Sequence, residues 1–155
     1  MSNFKELNEN LDSVFKRILD NKNLCKLINY NSSDALSKDD LESPEELLYT
    51  KIFPYPRSTE LFSEASSLLI VTFNNFEPIS ANNYLNKQLC FRILVHEDLW
   101  RLQEGLRPYL IMHEIANTFN GERLGIGKTL FKRAQELIGD GYMGFTLFYE
   151  ITDFN

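Results

Sequence analysis

Residues 88–119, QLCFRILVHEDLWRLQEGLRPYLIMHEIANTF, constrain this chain more than any other stretch. Leu89, Phe91, Ile93 and Val95 recur at period two, with Cys90 and Leu94 on the opposite side. A run apolar on both faces and rich in β-branched and aromatic types predicts a strand with little exposure. After a polar break, Leu110, Ile111, Ile115, Thr118 and Phe119 recur at three- and four-residue steps, one stripe of an amphipathic helix. Pro108 stands near its start, where a missing N–H costs least, and Asn120-Gly121 stands just past its end. A central strand feeding a packed helix is the expected scaffold.

The rest of the chain is read around that pair. Over residues 3–20, Phe4, Leu7, Leu11, Val14, Phe15 and Ile18 line one helix face while Lys5, Glu9, Asp12 and Lys16 point away. The stripe is narrow, so this helix is expected to lie against a sheet or a neighbouring subunit. A shorter helical piece is expected over 24–28, then a polar, turn-rich connection over 29–42. Ser43-Pro44-Glu45-Glu46 carries the residues of a helix start, with the serine as cap, and predicts a short helix over 47–52 that Pro54 and Pro56 stop. Residues 54–57 then form an extended or turning loop. Strands are predicted over 67–73, 88–96 and 142–154, the last from the alternation of Phe145, Leu147, Tyr149 and Ile151. The polar connection 74–86 is longer than a hairpin needs. Residues 127–138 are ambiguous. Leu130, Phe131, Ala134, Leu137 and Ile138 have helical spacing, which favours a helix by a small margin, whereas Gly139-Asp140-Gly141 before a strand is a hairpin signal. The expected fold is a single α+β domain over 1–155, a mixed or antiparallel sheet of about four strands packed against an N-terminal helix and a central helix. Residues 1–42 supply the N-terminal helical segment and connection, and 43–155 the sheet and central helix.

At 155 residues, 43% hydrophobic and 13% aromatic, the chain has the length and composition of one folded domain. A net charge of -6 argues against a dedicated nucleic-acid binder, whose affinity rests on clustered Lys and Arg, but suits a surface that DNA slides past. Cys25 and Cys90 fall in apolar contexts and are expected to be buried and reduced. The polar opening and the lack of any apolar run approaching roughly 18 residues predict a protein folded in a cytoplasm, with no membrane association.

Chemistry-bearing motifs are few. The segment 122–128, ERLGIGK, resembles the acetyl-coenzyme A loop of the GNAT acetyltransferases, a Q/R-x-x-G-x-G/A run that opens a helix. That resemblance implies pyrophosphate binding by backbone amides at Gly125, Gly127 and Lys128. Glu122 stands where that family has Gln or Arg, and the preceding LRPYLIMHEIANTFN has helical spacing where the family has a strand. His96-Glu97-Asp98 and His113-Glu114 lack metal-ligand spacing, and no Ser or Cys sits in a nucleophile elbow. No catalytic residue, metal or cofactor is assigned. Trp100 with Leu99 and Leu102 is either core or an exposed anchor for a protein partner.

The order from residue 67 onward is strand, long connection, the strand CFRILVHEDLW, the helix RPYLIMHEIANTFN, a G-I-G-K segment and the closing strand YMGFTLFYEITDF. It resembles the small head–tail connector and tail-terminator (neck) proteins of tailed bacteriophages. The resemblance implies a non-enzymatic virion protein assembling into a ring, commonly of six copies, that caps the tail tube or joins it to the head. DNA passes through without specific binding, and the chain meets host cytoplasm only during assembly. It also implies that residues 127–138 form a strand paired with 142–154. Contacts to the tail-tube and portal-side proteins are then expected in loops 54–57, 74–86 and 98–105, at Tyr55, Arg57, Asn75, Phe76, Tyr84, Trp100 and Arg101. The competing readings are the acetyltransferase and a small phage-encoded host-interaction protein.

Overall fold

A computed structural model describes residues 4–59, 64–78, 85–124 and 127–152. Helices α1 (Glu6–Asp20), α2 (Lys22–Asn29) and α3 (Arg107–Phe119) pack on one face of a mixed sheet. In chain order its strands are β1 (Ile52–Phe53), β2 (Ser67–Pro78), β3 (Leu85–His96), β6 (Arg123–Leu124), β7 (Gly127–Ile138) and β8 (Tyr142–Thr152). A separate ribbon pairs β4 (Arg101–Leu102) with β5 (Gly105–Leu106). The sheet order is β1-β2-β3-β8-β7-β6, parallel only between β1 and β2. The fold is α+β as expected, with long strands β2, β3, β8 and β7 forming its body.

Period-two patterning puts β3 in the middle. Leu89, Phe91, Ile93 and Val95 are fully buried on the helix-covered face. Phe91 packs 5.0 Å from the Phe119 ring and edge-on to Tyr149 at 5.6 Å. On α3, Ile111, Ile115 and Phe119 are buried, and on α1 Val14, Phe15 and Ile18. Asn21 ties the helices together. Its side-chain oxygen caps α2 by accepting from the Leu24 amide at 2.9 Å, while its amide donates to Thr118 Oγ1 on α3 at 2.8 Å.

Arg107, the first residue of α3, is wholly buried. Its guanidinium donates to the carbonyls of Leu99 (2.8 Å), Tyr30 (2.8 Å), Ser32 (3.2 Å) and Leu27. Leu27 lies in the last turn of α2, where carbonyls lack helical partners and the dipole is negative. Lys51 adds a second cation there, its Nζ donating to Asn29 O at 2.9 Å. One buried cation therefore joins the end of α2 to the start of α3. Trp100 belongs to the same corner. Its indole N–H donates to Val95 O at 3.0 Å and its carbonyl accepts from the Arg107 amide at 2.7 Å. Of the two readings of Trp100, its half-buried ring packs against the core.

Three local expectations are settled or changed. Residues 127–138, open between helix and strand, are strand β7, paired with β8 from Lys128–Thr152 to Ile138–Met143 as the connector resemblance implied and against their helical spacing. A bulge between Phe131 and Arg133 inserts an extra residue, which breaks the period-two signal and puts Phe131 and Ala134, three apart, on one face in helix-like spacing. The hairpin signal holds: Gly139 donates to Tyr142 O at 2.7 Å, and Gly141 takes φ 72°. The predicted helix over 47–52 is a 3-10 turn, Pro44–Leu47, without a side-chain cap from Ser43, and Ile52 already belongs to β1. The described residues of the long connection 74–86 are strand, because Asn74, Glu77 and Pro78 pair with Gln88, Asn86 and Leu85. Its polar residues mark a bulge with Asn75 at φ 52°, its amide donating to Gln88 Oε1 at 2.6 Å.

Cys25 and Cys90 are buried and free. Burial pushes the Cys25 thiol up to about 12, helped by the Asp20 carboxylate, and burial also raises Cys90. Neither forms thiolate at neutral pH. A chromogenic disulfide reagent is expected to label neither thiol in the folded protein and both after denaturation. Rapid labelling of the native protein would contradict this burial.

Candidate functional site

The chemistry expected of an acetyl-coenzyme A loop is not assembled. Such a loop needs a helix to follow, whereas Gly127 opens β7 and Lys128 pairs across to Arg123. Gly125 lies outside the described residues. The two histidines stay apart on separate elements. His96 Nδ1 accepts from the Asp98 amide at 3.2 Å, and its ring stands edge-on to Tyr142 at 5.3 Å. His113 bonds Asn117 on its own helix at 3.1 Å. Among the described residues no group of three or more His, Cys, Asp or Glu could hold a metal ion. Nor is any helix there long and apolar enough to cross a membrane. A depression of about 640 Å³ is rimmed by Asp39, Asp40, Glu42 and Glu46. Within it Asp40 is engaged by Lys26 at 3.1 Å and Lys22 at 3.3 Å, which hold its carboxyl below the usual range.

The distinctive surface is the pair of sheet edges. β1 covers β2 only at Leu69 and Ile70, because Pro54 and Pro56 follow and cannot extend the ladder. From residue 72 onward nothing among the described residues pairs with the outer side of β2. Beside that edge runs a groove of about 240 Å³ against α1, lined by Leu7, Leu11, Tyr55, Val71, Phe73 and Phe76. Exposed rings border it. Phe76 stands edge-on to Phe4 at 5.3 Å, and Tyr55 lies 6.3 Å from Tyr49 and 5.9 Å from Phe53, over which Arg57 sits at 5.3 Å. Four sequence-predicted contact residues, Tyr55, Arg57, Asn75 and Phe76, therefore gather on one margin. Tyr84 lies outside the described residues. Trp100 and exposed Arg101 sit at the opposite end of the strands.

The other edge is β7. Its first part is engaged, since Thr129 donates to Glu122 O and Phe131 to Asn120 Oδ1, each at 3.0 Å. Beyond the bulge, Gly139 points its N–H inward to Tyr142. Strand alternation then turns the backbone groups of Ala134, Glu136 and Ile138 outward, and nothing among the described residues receives them. Ile138 is 67% exposed, the most of any large apolar residue described. On the uncovered face, the Arg133 guanidinium sits 4.3 Å over Phe148 and Lys132 pairs with Glu150 at 2.8 Å. Residues 132–138 escaped sequence reasoning because their pattern reads as a helix stripe.

A model of the YomW family matches residues 21–151, all but the ends of the chain. The chain belongs to the YomW family. The matched span takes in both sheet edges and α3, and leaves α1 before it. No curated protein matches the chain. YomW is a phage-derived family, so this is a phage protein.

Proposed function

We propose that this YomW-family chain is a virion structural protein of a tailed phage. It forms a ring at the head–tail junction or the top of the tail, as a tail terminator or neck protein, with the tail tube on one side and portal-side proteins on the other. The observation carrying this reading is the sheet with two exposed edges and all helices on one face. Open edges of this length invite pairing with another chain where charge, proline and bulges do not blunt them. Closure by rotation about one axis uses both edges of every copy. The net charge of -6 suits a wall past which DNA moves without binding. No catalytic step is assigned.

Deleting the gene is expected to leave filled heads and unattached or abnormally long tails, with the protein detected by mass spectrometry in wild-type particles. Normal infectious particles without the protein would sink the reading. The exposed rings of Phe4, Tyr49, Tyr55 and Phe76 favour a second reading, a host-interaction protein acting as a monomer or dimer. Absence from particles together with capture of a bacterial protein would select it.

A further inference from the structure

We propose that copies of this chain join edge to edge, β7 of one against β2 of the next, so that the sheet continues through the assembly. This names the interface of the ring and rests on the self-assembly reading above. Strand direction permits it. β2, β3, β8 and β7 alternate, so β7 runs antiparallel to β2. A copy added in the plane of the sheet therefore meets β7 with an antiparallel β2 and keeps its helices on the same face. Among the described residues the unpaired edge stretches, 71–78 with its bulge and 132–138, are similar in length.

The faces match in one register. On the helix-covered face, Ile138 falls opposite Val71 and enters the groove against Leu11. Small Ala134 falls beneath Phe76, within the bulge. On the open face, Gln135 meets Asn74 and Arg133 meets Glu77, an amide pair and an ion pair, with the β7 bulge just beyond the β2 bulge along the ladder. Pairing β7 with its own copy instead, centred on Gln135, would set Arg133 against Leu137. It would leave the β2 groove empty.

Disulfide trapping tests the register, since both native thiols are buried. The purified double variant Asn74→Cys/Gln135→Cys, oxidised at high concentration, is expected to give a ladder of linked multimers, and neither single variant any. No ladder, or a dimer from Gln135→Cys alone, overturns the proposal. Glu136→Pro removes an outward N–H without touching the β8 ladder, and is expected to weaken assembly at least tenfold with the circular dichroism spectrum unchanged. Undiminished assembly of that variant overturns the proposal. Arg133→Glu is expected to weaken assembly similarly and adding Glu77→Arg to restore it; if the swap fails to restore it, the register is wrong. A ladder from a protein absent from particles would retain the edge pairing and discard the neck role. A particle protein without a ladder would do the reverse.

Discussion

Arg107→Ala is expected to lower stability by about 4 kcal/mol or more, because each buried carbonyl it orphans costs about 1–3 kcal/mol and a cavity remains. Four carbonyls from two stretches of chain far apart in sequence, Leu27, Tyr30 and Ser32 at the end of α2 and just beyond it, and Leu99, converge on this one side chain. Burial pushes the guanidinium down only to about 10, so it is cationic at neutral pH. Among the described residues no carboxylate is bonded to it. The negative end of the α2 dipole and the carbonyl oxygens supply the compensation instead. Arg107→Lys keeps the charge but loses the planar fork, and is expected to recover less than half of the loss. In a domain of this size the alanine variant should melt roughly 8–16 °C below wild type. A melting shift of a degree or two would mean that the corner holds together without it.

Gly144→Ala should be comparably severe. A Cβ at that position would lie 1.8 Å from the Ile93 carbonyl oxygen and 2.8 Å from its carbon, backbone atoms of the central strand. β3 and β8 would have to separate there, at a cost of about 3 kcal/mol or more. Gly139→Ala is the control, since its Cβ would meet nothing nearer than Tyr142 O at 3.7 Å. Thermal or denaturant unfolding of the pair should show a large loss for Gly144 and little for Gly139. Equal losses would point to a general effect of removing glycine from the hairpin, not to the close approach.

Legibility in the sequence followed burial. The strand at 88–96 and the helix at 107–119 could be read because one or both of their faces are enclosed, so the apolar spacing reports the packing. The loop at 98–105 read as polar, yet Trp100 and Arg107 lock it from within through backbone carbonyls that no residue pattern discloses. At the site, aromatic and arginine residues at 54–57 and 75–76 were visible as contact candidates. Their convergence beside a bare edge was not.

The amino-acid order alone determined the α+β class, the central strand and the helix it feeds, because each is stabilised by a face whose periodicity is local. Tertiary structure decided the state of residues 127–138. Lying at the margin, with only Gly127 and Thr129 buried and Leu137 half-buried, they have no continuous buried face to impose a period, and the long ladder with β8 overrides their helical spacing. It also decided that 74–78 extends a strand and that Arg107 is buried, since both depend on partners far away in the chain.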